Sequence, residues 1–253
     1  MSGSDRSMRP GGVVDIRSSI PRGSATDLMR AIGLGVADVV FPPRCAGCRR
    51  RGYWICPDCH LGIARFEAPL CDRCGMPFAV GQCRCDEISD AIAMHRSVAA
   101  YDGWLRSAIR AFKYGEESAR ARHLAAELAS IVPSVGPIDG LVPVPLHPAR
   151  LRQRGFNQAA LLAEKVSRTS GVPVVVALTR TRSTRQQVGL GATDRATNVR
   201  DAFAIVDGSP VFGRRLAVID DVCTTGATLG ACAEVLRVHG AREVVSFTLA
   251  REI

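Results

Sequence analysis

The stretch Val218-Ile-Asp-Asp-Val-Cys-Thr-Thr-Gly-Ala-Thr228 runs from an apolar segment through two carboxylates into a turn of small and hydroxylated residues. Arg215 to Ile219 is short and apolar, which predicts a buried strand. Ala227 to His239 has helical periodicity and ends at Gly240, the usual left-handed stop. A turn between such a strand and helix aims backbone N–H groups and the helix N-terminus at one point, where the dipole favours an anion. Thr224, Thr225 and Thr228 add hydroxyl donors, Gly226 permits close backbone approach, and Ala227 opens the helix. Asp220 and Asp221 fall at the C-terminal end of the strand, where open α/β sheets hold their ligands. A carboxylate pair beside a phosphate cradle suits a sugar phosphate: hydroxyls donate to the aspartates while the phosphate takes the loop amides. Taken singly, two aspartates after a strand often only begin a turn, and Thr-Thr-Gly is an ordinary helix start. The combination is what carries the reading.

Outward from this stretch, strand and helix patterns alternate. Leu105, Ile109 and Phe112 predict a helix over Trp104 to Phe112; Leu124, Leu128 and Ile131 predict another from Ala119 to Ile131, broken by Pro133 and Gly136. Strands are expected at Leu141–Val144, Val172–Leu178 and Glu243–Leu249, with a helix from Gln158 to Thr169 capped by Asn157. Such alternation means a parallel sheet covered by helices on both faces, an α/β fold.

The chain carries a net charge of +9, and 31 of its 33 basic residues are arginine. Between Arg150 and Arg200 ten basic residues stand against Glu164 and Asp194, so nearly all the excess lies in one stretch and implies an anionic partner there. Arg150, Arg152 and Arg154 fall in what reads as a loop after the Leu141 strand. The long polar segment from Arg180, with Arg182, Arg185, Arg195 and Asn198, reads as a lid, since a structureless loop of that length in a compact domain is usually functional. Closing it would exclude water from the reacting centre. A nucleic-acid face or a merely solvated one is the competing reading for both segments.

Eight of the ten cysteines lie between Cys45 and Cys85, as Cys45-x2-Cys48, Cys56-x2-Cys59, Cys71-x2-Cys74 and Cys83-x-Cys85. Four such pairs supply two tetrahedral zinc sites, and a segment this small takes its folding free energy from metal rather than from a core. With four thiolates per ion no coordination position stays open, so the role is structural. Spacing alone permits sequential or interleaved pairing of the knuckles. His60 could replace a ligand, though a surface histidine is the blander reading. Arg49, Arg50 and Arg51 either touch nucleic acid or form a solvated turn, and Tyr53 and Trp54 either stack bases or cover a zinc site. Cys223 and Cys232 read as buried small hydrophobes.

At 253 residues and 47% hydrophobic, with ordinary charge content, the chain is excluded from wholesale disorder. No apolar run reaches the ~20 residues that cross a bilayer. The opening residues lack the apolar core of a secretion signal, which gives the expectation of a cytoplasmic protein without disulfides. The divisions expected are a loose tail over 1–24, an amphipathic helix and connection over 25–44, a Cys-rich module over 45–90 and the α/β domain over 91–253.

Asp-Asp-x-x-Thr-Thr-Gly-x-Thr resembles the phosphoribosyl pyrophosphate (PRPP) signature of type I phosphoribosyltransferases. With the clustered Cys knuckles, Phe112-Lys113-Tyr114-Gly115 and the string from Pro143 to Gln158, it is similar to the ComF family of competence-associated proteins, from about Val39 to Arg251. The resemblance implies that Asp220 and Asp221 take the ribose 2- and 3-hydroxyls and that Thr224 to Thr228 take the 5-phosphate. Arginines of the two basic segments would take the pyrophosphate, with Mg²⁺ bridging it to the ribose. It further implies a double zinc ribbon and an association with single-stranded DNA and the DNA-uptake machinery. The alternative is an active Mg²⁺-dependent phosphoribosyltransferase that moves ribose 5-phosphate to a nitrogen acceptor. No residue stands out as an acceptor-specific base, so no catalytic residue is assigned.

Overall fold

The computed structural model describes residues 42–114, 117–181 and 202–253. The expected tail, the helix over Ala25 to Val40, and the lid with Arg182, Arg185, Arg195 and Asn198 lie outside the described residues. From Arg44 to Ile253 the chain is one compact unit.

Four parallel strands form its centre, in the order β1 (Met94–Ala100), β6 (Glu243–Arg251), β5 (Arg215–Cys223), β2 (Gly140–Pro143). β5 and β6 are nearly continuous buried runs, as expected of strands covered on both faces. On one face lie α2 (Gly103–Tyr114), α3 (Glu117–Ile131) and α5 (Gln158–Ser170), whose Ile109, Phe112, Leu124, Leu128 and Leu162 pack with Ile219 and Phe247. On the other lies α6 (Ala227–Val238), where Leu229, Cys232 and Leu236 pack with Leu216 and Val218. Asn157 caps α5 as its side chain predicts, accepting from the N–H groups of Ala159 and Ala160.

Two expectations are corrected, and one strand is new. Val172–Leu178 is not a strand. Pro173 cannot donate to a ladder, and only Val174 bridges Leu141; the chain then forms an antiparallel pair, β3 (Leu178–Arg180) with β4 (Phe203–Ile205). The segment carrying Arg150, Arg152 and Arg154 is a short helix rather than a loop. It is α4 (Pro148–Arg154), capped by the His147 ring and closed by Gly155 in the left-handed conformation. β1 was not foreseen, because Met-His-Arg-Ser-Val-Ala-Ala lacks an apolar run.

β1 is buried by polar pairing instead. His95 lies opposite Ser246 in register and Ser97 opposite Thr248. His95 Nδ1 meets Ser246 Oγ at 2.9 Å and Nε2 meets Ser97 Oγ at 2.8 Å, while Ser97 and Thr248 hydroxyls lie 2.7 Å apart. Burial first, then the charges of Arg251 and Arg96, push the His95 imidazole down to about 3, so it is neutral. Replacing His95 by leucine strands buried hydroxyls. The expected cost is about 2–3 kcal/mol, a fall of roughly 5–10 °C in a thermal melt, with His95→Gln losing less.

The two cysteine knuckles dock on opposite faces of this sheet. Ile55 and Ile63, around the first and its short helix α1 (Pro57–Leu61), join the α2/α3 core; Cys74, Met76 and Ile88, around the second, join the α6 core. Two ion pairs, each with one buried partner, fix them. Glu127 of α3, 4% exposed, takes both Arg65 nitrogens at 2.9 Å and His60 Nε2 at 2.5 Å. Arg251 of β6, fully buried, donates to Cys74 O at 2.6 Å, Arg84 O at 3.2 Å and Glu87 Oε2 at 3.0 Å.

Candidate functional site

The cysteines resolve into Cys45, Cys48, Cys56 and Cys59, and into Cys71, Cys74, Cys83 and Cys85, each set with its sulfurs within 4.8 Å of one another. The pairing is sequential, which spacing had left open. Both sets fit zinc. Burial raises the Cys45 thiol, but N–H groups of Cys56, Cys48 and Gly47 outweigh it and hold it at about 6; Cys71 is held at about 6 in the same way by Cys74 and Arg73. Cys59, chiefly by burial, and Cys85, chiefly by the Cys83 thiol, are pushed up to about 12. Four crowded sulfurs ionise together only around a cation, and a divalent ion would lock each knuckle. His60 is spent on Glu127 and is no member of either set.

At the C-terminal end of the sheet lies a cavity of about 730 Å³. Asp220, Asp221 and Thr228 form its floor, and α4 lines one wall. Arg150 and Arg154, one helical turn apart, line it; Arg152, between them in sequence, is exposed and is not among the lining residues. Arg180, the first residue of the segment read as a lid, also lines it, with two cations that sequence reasoning had not placed here, Arg110 and Lys113. Lys113 Nζ lies 3.0 Å from Asp221 Oδ1. Its only signal in the sequence was its place in Phe112-Lys113-Tyr114-Gly115, to which no role was attached.

The two carboxylates differ. Asp221 is 7% exposed, and its N–H donates to Asp220 Oδ1 at 2.8 Å. Burial, then the neighbouring Asp221 charge, pushes the Asp220 carboxyl up to about 7, while Lys113 and Arg180 pull it partly back. Gln158 forms another part of the wall. Its Oε1 accepts from Arg154 at 3.2 Å, which leaves the buried Nε2 as a donor with no partner among the described residues. Five cations, an orphan amide donor and a carboxylate pair give the cavity the chemistry to meet both an anion and hydroxyl donors.

The loop after β5 is shared between two spaces. Thr228 lines the basic cavity, Thr224 is exposed, and Thr225, Gly226 and Ala227 line a groove of about 930 Å³ against the second knuckle. That groove carries Asp86, Glu87, Asp90 and Glu234 against Arg73 alone, so its charge is acidic where that of the other cavity is basic. Gly226 stands in the left-handed conformation at φ +69°, and what approaches it is the Glu87 carbonyl. Cys223 and Cys232 are buried and their thiols raised, chiefly by burial, as small hydrophobes should be.

The double zinc ribbon domain family matches residues 36–89. Competence protein F of Haemophilus influenzae is 32% identical over 229 residues, covering 83% of this chain and 98% of that protein. The chain belongs to the ComF family. DNA utilization protein YhgH of Escherichia coli K12 is 34% identical over 85% of this chain and 100% of its own length; competence protein ComFC of Bacillus subtilis is 30% identical over 78% and 84%. Among solved structures, the glutamine PRPP amidotransferase of B. subtilis complexed with ADP and GMP aligns with 51% of this chain and 25% of its own at 24% identity and TM-score 0.36. As a ComF member the chain joins a zinc-ribbon module to an α/β sheet in one compact unit.

Proposed function

We propose that this ComF protein binds PRPP in the basic cavity and acts in the uptake or use of DNA, as the names of its relatives suggest. The observation that carries the reading is the convergence of Asp220 and Asp221 with Arg150, Arg154, Arg110, Lys113 and Arg180 in one cavity at the strand ends. The aspartates accept the ribose 2- and 3-hydroxyls, which needs both in the ionised form. The loop amides and the Thr224, Thr225 and Thr228 hydroxyls take the 5-phosphate at the N-terminus of α6. Arg150, Arg154 and the Gln158 amide take the pyrophosphate. Mg²⁺ arriving with the ligand would supply positive charge against the pyrophosphate, beside Arg150 and Arg154. The zinc-bound thiols need a reducing compartment, which supports a cytoplasmic placement. No helix among the described residues is long and apolar enough to cross a membrane.

The test is a calorimetric titration of PRPP with Mg²⁺ into the purified protein, followed by two assays. Release of pyrophosphate with a nitrogen acceptor would establish the transferase reading; salt-dependent binding of single-stranded DNA without turnover would establish a binding role. Absence of PRPP binding would overturn the site assignment.

The raised Asp220 carboxyl gives this binding a pH dependence. The ligand's hydroxyls need an ionised acceptor, so affinity should rise as the pH climbs through about 7 and level off above it. In the unliganded protein the sign reverses. A carboxyl raised above its ordinary value makes ionisation costly, so stability falls as the pH rises toward about 7. Lys113→Met removes a charge that lowers Asp220, and the binding midpoint should move to higher pH.

A further inference from the structure

The loop that grips phosphate is built against the second zinc ribbon. A Cβ on Gly226 would fall inside van der Waals contact with the Glu87 carbonyl oxygen. One turn along α6, a Cβ on Gly230 would lie 2.8 Å from Ser89 Cβ; one turn further, Ser89 Oγ donates to Glu234 at 3.2 Å. The turn over residues 87–89 thus lies along the 226/230/234 face of α6. That turn continues directly from Cys85, with Ile88 N–H donating to Cys85 O at 3.1 Å. From below, Arg251 holds Arg84 O and Glu87 Oε2. Arg251 is also the register partner of Cys223, the last residue before the loop, and Glu252 N–H donates to Cys223 O at 2.9 Å. Among the described residues the first ribbon has no such contact; it rests on α2 and α3, with Trp104 and Glu127 as its seats.

We propose that the second ribbon is the outer wall of the phosphate loop. Metal held by Cys71, Cys74, Cys83 and Cys85 fixes the Glu87–Ser89 turn against Gly226 and so sets the grip on the 5-phosphate, while metal in the first ribbon does not. The affinity part rests on the PRPP reading, whereas the mechanical part stands without it. Zinc in this ribbon is then more than a fold staple. A cell that strips it loses the phosphoribosyl grip while keeping the pyrophosphate pole, which belongs to α4.

Three full-length variants test this. Cys83→Ser opens the second site at an exposed ligand, Cys48→Ser does the same for the first, and Gly230→Val wedges the turn off α6 without touching a ligand. The readouts are zinc content, hydrogen exchange of amides 224–230, and affinities for Mg²⁺–PRPP and Mg²⁺–pyrophosphate. Cys83→Ser should lose one zinc, expose those amides and weaken PRPP at least tenfold, with pyrophosphate held within about twofold. Gly230→Val should do the same with both zincs retained. Cys48→Ser should lose one zinc and leave loop amides and PRPP affinity near wild type. Unchanged loop amides in both Cys83→Ser and Gly230→Val, or equal exposure in Cys48→Ser, would overturn the proposal. If Cys83→Ser does not fold, Gly230→Val decides. If wild type binds no PRPP, the ligand reading fails alone, and hydrogen exchange still decides the coupling.

Discussion

Asp221→Asn should remove measurable heat of Mg²⁺–PRPP binding while the protein keeps its fold and its two zinc ions. The substitution preserves shape and takes away one charge. A hydrogen bond to an ionised acceptor is worth about 1.5–3 kcal/mol, so losing the charge under the ribose hydroxyls should weaken binding roughly 100-fold. Folding should barely respond. The ion pair lost, Lys113 with Asp221, is largely buried, but the lysine amine lines the open cavity and can rehydrate there once its partner is neutral. Its loss also relieves Asp220 of the like charge that helps to raise it, so the Asp220 carboxyl should fall below about 7 in the variant. A carbon-detected NMR titration would read that shift directly. Retained PRPP affinity in Asp221→Asn would mean that the ligand lies elsewhere, however basic the cavity.

What the sequence disclosed follows from the range of the interactions involved. The β5–loop–α6 unit was legible because strand, carboxylates, hydroxyls and glycine are adjacent in the chain. The cysteine sets were legible in kind, since knuckle spacing is local, but their pairing needed three dimensions. Lys113 was hidden because an ion pair between α2 and β5 leaves no periodic trace. β1 was hidden because its buried residues are polar, and His95 and Ser97 are acceptable there only opposite Ser246 and Thr248. α4 is different: Pro148 at its first turn and Gly155 at its end are helix signals, and reading them would have turned Arg152 away from Arg150 and Arg154. Gly226 was expected to make room for a ligand. Its neighbour is instead the Glu87 carbonyl, a contact that only the docked ribbon creates.

Arg251→Met should be the most destabilising single change on the β6 strand. The guanidinium is fully buried, and it supplies the donors that satisfy Cys74 O, Arg84 O and Glu87 Oε2. Methionine fills much of the volume but leaves two carbonyls and a carboxylate without that donor. Glu87 is partly exposed and can turn toward water, so the larger cost falls on the carbonyls. Each buried acceptor left unpaired costs ~1–3 kcal/mol, so the loss should total about 3–5 kcal/mol, which for a unit of this size lowers the melting temperature by about 10 °C. Double-mutant logic separates the parts. Arg251→Met with Glu87→Gln should cost less than the sum of the single changes, because the carboxylate charge is then gone. Two local signs should accompany the melt. Chelator should draw the second zinc faster than the first, since the Cys74 knuckle and the turn after Cys85 have lost their common clip. The His95 imidazole, held down first by burial and next by the Arg251 charge, should titrate at a higher pH than about 3. A variant that melts like wild type and releases both zincs at equal rates would show that the ribbon is held by its apolar contacts, Met76 and Ile88, and that the buried arginine is incidental to it.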